Sequence, residues 1–240
     1  MRLLTRHSNL SRIPYDEGAA ILVDKPLEWT SFDVVNKIRF PLRKLYDRKK
    51  FKVGHNGTLD PLATGLLMIF TGKYTKLIPQ EENHDKRYTG VIKLGATTAS
   101  LDRETEETDK IEALSLSAAE IEQSLSTFSG EMMQEIPRYS AAKVGGKRMY
   151  KLARAKKEFK PKSKPVFFNE VNLLNIDLPY VEVDITCGKG TYIRAFARDL
   201  GVALGIPAYL YALKRTQISG YKVEDALSVD EICNAIMNQE

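Results

Sequence analysis

Short apolar runs broken by glycine and proline, some alternating and some continuous, predict mixed α and β structure along the whole chain. Ala19–Asp24 (AAILVD) predicts a strand stopped by Lys25-Pro26, after which Ser31 is placed to cap a helix carrying Val34, Val35 and Ile38. Leu66–Phe70 is uninterrupted apolar sequence of the length of a buried strand. Tyr88–Leu94 sets Tyr88, Gly90, Ile92 and Leu94 on one face, as a half-buried strand requires. Ser117-Ala118-Ala119-Glu120 and Ser228-Val229-Asp230-Glu231 are capping boxes, each opening a helix, the first expected to stop at Gly130. Val166–Ile176 and Tyr180–Cys187 form two strands joined near Pro179. Tyr192–Leu204 forms an amphipathic helix ended by Gly205, and Ala208–Lys214 a short strand. No repeat, low-complexity linker or domain boundary stands out, and a single domain over 1–240 is expected.

Composition adds little to this picture until charge is followed along the chain. With 43% hydrophobic and 28% charged residues, 240 residues are enough to bury a sizeable core. No apolar run approaches the roughly 20 residues of a membrane span, and the first fourteen residues lack the apolar stretch of a signal peptide. Cys187 and Cys233 are too few and too far apart for a disulfide framework. A reduced, cytoplasmic protein without membrane attachment is expected. The net charge of +5 is modest, but ten basic residues and one acid between Lys143 and Lys164 give that stretch +9, leaving −4 for the rest. A second cluster, Arg43, Lys44, Arg48, Lys49, Lys50 and Lys52, surrounds Tyr46 and Phe51, whereas Asp102–Glu112 holds six acids against two bases. Charge segregated in this way creates a directional field suited to a polyanion, although a lysine-rich stretch can equally be a solvated face. The basic stretch, with Gly145-Gly146 and Pro161, forms a long excursion from the sheet, of a length that is usually functional or mobile.

Several chemistries can be set aside. Three histidines and two cysteines show no metal-ligand spacing, so no metal is expected. Gly188-Lys189-Gly190-Thr191 lacks the glycine five places before its Gly-Lys pair that a phosphate loop needs, Val183 standing there instead. The richest stretch is Gly54–Gly65, GHNGTLDPLATG. Its three glycines permit close backbone approach and unusual φ, and Pro61 holds Asp60 in an extended or turn conformation. On spacing alone Asp60 is either a reactive carboxylate or a side chain bonded to its own turn.

GHNGTLDPLATGLL closely resembles the nucleophile motif of TruB-family pseudouridine synthases. Other blocks resembling that family follow in order: Lys86-Arg87-Tyr88 with Leu94-Gly95, PRYSAAKVGGKRMY over 137–150, Gly190-Thr191-Tyr192-Ile193-Arg194 with Asp199-Leu200-Gly201, and Leu213-Lys214-Arg215-Thr216. The resemblance implies an α+β pseudouridine-synthase fold, a central mixed but mostly antiparallel sheet flanked by helices, with a basic thumb-like insertion at about 137–165. It implies isomerisation of uridine-55 in the TΨC loop of transfer RNA, with Asp60 as nucleophile, Arg194 paired to it, and Tyr88 stacked on the target base and assisting proton transfer at C5. His55, Tyr192 and Leu213 are implied to line the pocket. Lys25, Lys143, Lys147, Arg148, Lys151 and Arg154 are implied to contact RNA. No cofactor, metal or protein partner is implied, and the thumb is expected to be mobile without RNA.

The sequence departs from the family pattern in three places. Asn56 replaces a usual threonine and should preserve the turn, and Gly188 stands where serine is common. Only 19 residues follow Tyr221, so the C-terminal RNA-binding domain of many relatives is not expected, and grip on RNA should rest more on the catalytic domain and thumb. Two other readings are open: a non-catalytic RNA-binding protein on the same scaffold, and a metal-dependent nuclease, which lacks clustered ligands.

Overall fold

A computed structural model of the chain describes residues 1–111 and 115–239. Glu112, the last acid of the acidic run, lies outside the described residues. The principal elements are β1 (Ala20–Lys25), α1 (Ser31–Leu45), β2 (Val53–Asn56), β3 (Ala63–Thr71), β4 (Lys86–Leu94), α2 (Ala118–Ser126) and β5 (Gly130–Glu135). They continue with α3 (Met149–Arg154), β6 (Ser163–Asp177), β7 (Tyr180–Cys187), α4 (Ile193–Leu204), β8 (Ala208–Ile218) and α5 (Val229–Met237). The architecture is the expected one, a large mixed sheet, mostly antiparallel, flanked by helices. Among the described residues no helix is long and apolar enough to cross a membrane.

The chain forms two compact units, Met1–Lys86 with Lys214–Glu240, and Arg87–Leu213. In the first, β3 pairs antiparallel with β1, from Ala20↔Phe70 to Lys25↔Gly65, and with β2, from Val53↔Thr71 to Asn56↔Met68. Both faces of β1 and β3 are buried, which is why their sequences are continuously apolar. One face carries Ile21, Val23, Leu67 and Ile69 against Val34, Val35, Ile38 and Leu42 of α1 and Ile232 and Ile236 of α5. The other carries Ala20, Leu22, Leu66, Met68 and Phe70 with Ile218 and Val223.

In the second unit β5 and β7 flank β6, both antiparallel, and β4 lies between β7 and the first half of β8. Along β4 buried and less buried residues alternate, with Tyr88, Gly90, Ile92 and Leu94 on the buried side as their period requires. Phe196 of α4 packs against Phe128 and Phe168 at ring-centroid distances of 4.7 and 5.6 Å, fixing that helix to the sheet. Gly205 ends α4 in the left-handed conformation, as expected.

Local expectations are corrected at three points. The N-cap of α1 is Thr30 rather than Ser31: its hydroxyl accepts from the Asp33 N–H while the Asp33 carboxylate accepts from the Thr30 N–H. Helix α2 ends at Ser126, before Gly130, which opens β5 at φ +70° instead. Strand β8 runs on to Ile218, because Arg215 and Ile218 are buried and keep the pairing favourable beyond Lys214.

Candidate active site

Asp60 lies half-buried in the loop that joins β2 to β3, and main-chain groups on both sides of it are hydrogen-bonded. Ser31, freed from capping by Thr30, accepts from the Leu59 N–H at 2.9 Å and donates to the Leu59 carbonyl at 3.2 Å. The Ala63 N–H donates to the Asp60 carbonyl at 3.1 Å, and the Glu28 N–H to the Pro61 carbonyl at 2.8 Å. Lys25 is 0% exposed, and its ammonium donates to the carbonyls of Trp29 (2.6 Å), Pro26 (2.9 Å) and Pro61 (3.4 Å). Lys25 was expected among the RNA contacts. Its burial corrects that, since its three protons go to carbonyls of the loops on either side. Burial lowers its pKa from 10.5 to about 8, against the opposing attraction of Asp60.

Two polar residues flank the loop at the end of β2, Asn56 buried and His55 half-buried. The Asn56 amide donates to the Glu81 carbonyl at 2.6 Å. His55 is held neutral, its pKa lowered first by burial and then by the Arg215 charge, and its Nδ1 finds no partner among the described residues. Arg215 is itself 1% exposed, donating from Nε to the Leu66 carbonyl at 2.7 Å and from Nη2 to the Gly57 carbonyl at 3.1 Å.

The remaining expected site residues belong to the second unit. Tyr88 is 7% exposed on the inward face of β4. Leu213 is half-buried near the end of that unit's share of β8, its Cδ1 close to Gly90. Arg194 sits in the first turn of α4, where the helix dipole disfavours a cation. It is nonetheless 5% exposed, donating to the carbonyls of Ser100 (2.9 Å) and Tyr139 (3.0 Å), with Asp102 at 3.5 Å supplying the compensating charge. Tyr192, the N-cap of that helix, exchanges both main-chain bonds with the Gln134 side chain (2.9 and 3.2 Å), while Lys164 lies 4.6 Å over its ring.

Gln134, Asp102, Lys164, Ser31 and Arg215 therefore support the site residues without having been singled out. Asp102 was counted only as one of a run of acids. Serine at position 31 was assigned to the helix cap, and nothing in its neighbourhood marked it as a partner of Leu59.

The basic excursion has structure of its own. Lys143–Val144 and Lys147–Arg148 form a small hairpin turned by Gly145 and Gly146, at φ +56° and +78°, and α3 follows. Lys143, Lys147, Arg148 and Lys151 are exposed and line a concavity of about 430 Å³. Arg154 is exposed too, but pairs with Glu104 at 2.6 Å.

The model of the TruB family pseudouridylate synthase N-terminal domain matches residues 43–193. The chain belongs to that family. It is 44% identical to the tRNA pseudouridine synthase B of Phocaeicola vulgatus, over 94% of this chain and 96% of that one. It is 46% identical to the enzyme of the same name from Chlorobaculum tepidum, over 92% of each. Among solved structures, a chain of the Cbf5-Nop10-Gar1 complex superposes with a TM-score of 0.67 at 23% identity, over 92% of this chain and 54% of that one, a likeness of fold. The family match encloses the Asp60 loop, β4 and the basic excursion, and stops one residue before Arg194 and well short of Leu213 and Arg215.

Proposed function

We propose that this TruB-family chain converts uridine-55 in the TΨC loop of transfer RNA to pseudouridine, with Asp60 as the nucleophile. What carries the proposal is near full-length similarity to enzymes named tRNA pseudouridine synthase B, together with an intact Asp60 motif on a loop held by buried partners. A carboxylate adds to the nucleotide at C1′ or C6 and the glycosidic bond breaks. The uracil then turns and its C5 bonds to C1′, and the bond to Asp60 is released. C5 gives up its proton and N1 takes one up, so the reaction is a net isomerisation that needs no cofactor or metal. Arg194 is proposed to face Asp60 in the complex and favour its charged form, and Tyr88 to stack on the base. His55, Tyr192 and Leu213 form the pocket walls.

A uridine stacked in a folded loop must be flipped out to be attacked, at a cost of a few kcal/mol. Aromatic stacking returns about 1–3 kcal/mol per base, and phosphate contacts from Lys143, Lys147, Arg148, Lys151 and Arg154 add affinity that does not depend on sequence. The enzyme acts in the cytoplasm and without a protein partner. The test is to incubate unmodified tRNA with the protein and map pseudouridine by carbodiimide-stop primer extension. A new stop at position 55, unchanged in chelator and missing with Asp60→Ala, is the expected result. Pseudouridine formed by Asp60→Ala would remove Asp60 from its role. Tight tRNA binding without any isomerisation by the wild-type protein would favour a non-catalytic binder.

A further inference from the structure

The loop that presents Asp60 leaves β2 at Asn56 and joins β3 at Ala63, and Arg215 touches it on both limbs. Its Nε donates to the carbonyl of Leu66 on β3 and its Nη2 to the carbonyl of Gly57, three residues before Asp60. A lysine offers three donors from one point, whereas the planar guanidinium holds two acceptors in a fixed relative geometry. The backbone of Arg215 is engaged as well. A Cβ at Gly65 (φ +102°) would lie 2.3 Å from the Arg215 carbonyl oxygen, so only glycine lets β3 approach this closely. On the other limb, a Cβ at Gly57 (φ +69°) would stand 3.4 Å from Arg215 Nη1. Gly65 thus admits the main chain of residue 215 close beside β3, while at Gly57 Lys86 Cε, at 3.3 Å, lies as near as the guanidinium.

From this arrangement we propose that Arg215 is a positioning residue for the nucleophile: it clamps the two limbs of the loop so that the Asp60 carboxylate is presented in one geometry. The proposal rests on Asp60 being the nucleophile. Its physical basis is that Arg215 is buried at 1% exposure. Any loop conformation that carries the Gly57 carbonyl away leaves a charged N–H inside the protein without an acceptor, a state strongly disfavoured in low dielectric. The clamp therefore narrows the range of loop conformations before any RNA is bound. Preorganisation of this kind acts on the chemical step, because displacement of a reacting group by about 1 Å can cost on the order of 100-fold in rate.

The experiment compares wild type, Arg215→Lys and Arg215→Met in three measurements on the full chain: tRNA affinity, single-turnover rate of pseudouridine formation at saturating enzyme, and thermal unfolding. Arg215→Lys is expected to stay folded, to bind tRNA within about 2-fold of wild type, and to lose about 10- to 100-fold in single-turnover rate. Arg215→Met is expected to lose more, and millimolar ethylguanidinium to restore part of its rate. Equal single-turnover rates for wild type and Arg215→Lys would overturn the proposal, as would a rate loss matched by an equal loss of affinity. If Arg215→Met does not fold, hydrogen exchange in wild type decides the matter: the Leu59 amide, which donates to Ser31 inside the loop, must be protected comparably to β3 in the free protein, and rapid exchange there would overturn the clamp. An inactive wild type is a different failure, that of the proposed function itself.

Discussion

The Asp60 loop and the basic excursion over 143–164 are the two stretches that the sequence marks most strongly, and they are built in opposite ways. Around Asp60, buried Lys25 and Arg215 and the hydroxyl of Ser31 bind main-chain groups of residues 57–66. In the excursion, the cations at 143, 147, 148 and 151 point to solvent and the hairpin is turned by two glycines with nothing within 4 Å of their added Cβ atoms. The difference fits what each proposed role requires. A nucleophile must hold its place to a fraction of an ångström, which only buried, directional contacts provide. Phosphate attraction falls off slowly with distance and tolerates a moving partner, so exposed charge on an adaptable loop suffices.

Substitutions should separate the two regions cleanly. Asp60→Ala is expected to lower the isomerisation rate by at least about 10³-fold while tRNA affinity stays within about 2-fold, measured by single turnover and filter binding. The triple charge reversal Lys147→Glu, Arg148→Glu and Lys151→Glu should do the reverse. Binding should weaken about 100-fold, the slope of log affinity against log salt should flatten by about 2–3 units, and the rate at saturating protein should stay near wild type. A triple variant that lost rate at saturation instead would mean the excursion shapes the active site and the contrast is false. Hydrogen exchange sharpens the same contrast: the amides of 143–164 should exchange much faster than those of 57–66, and RNA should slow them.

Much of this organisation was legible beforehand, and what was missed has common causes. The capping boxes at Ser117 and Ser228, the alternation along β4 and the stop at Gly205 all follow from local rules that tertiary structure did not override. Thr30 was missed as the cap because its partner is Asp33 rather than a glutamate or glutamine, and Ser31 beside it offers the same hydroxyl. Lys25 was named only as an RNA contact implied by the resemblance; lysine is almost never fully buried, and the carbonyl partners that bury this one come from separate loops. No linker announces the two units since their boundaries, at 86/87 and 213/214, fall inside β4 and β8. Asp60 was visible only through family resemblance. The contacts that hold it come from residues 31 and 215, at separations no local pattern reports.

The buried ammonium makes the contrast measurable in the unfolding equilibrium. Lys25→Met removes the ammonium donor from the carbonyls of Pro26, Trp29 and Pro61, of which Pro61 keeps the Glu28 N–H, and should cost about 1–3 kcal/mol. The pH dependence carries a definite sign. Burial depresses the folded-state pKa of Lys25 from 10.5 to about 8, so between those values the unfolded chain holds more protons than the folded one, and this group's contribution to stability rises with pH. Urea unfolding at pH 7.5 and 9.5 should therefore show the advantage of wild type over Lys25→Met widening with pH. A gap that is constant or narrows would show that Lys25 stays protonated and that the cost of burying its charge has been misjudged.

Ser31→Ala is the mildest of these changes and the most selective for the loop. It removes one donor and one acceptor, both directed at Leu59, and leaves the Thr30–Asp33 cap of α1 untouched. A net loss of about 1 kcal/mol is expected, which for a chain of this size lowers the melting temperature by about 2–4 °C. The rate should fall more than so small a loss of stability would suggest, because Leu59 immediately precedes Asp60 and its carbonyl, held by Ser31, belongs to the peptide that joins them. Thermal unfolding and single-turnover rates measured on the same preparation check this. If the melting temperature drops while the rate is unchanged, the Leu59 anchor only stabilises, and the aim of the nucleophile depends on the contacts to Gly57 and Pro61 alone.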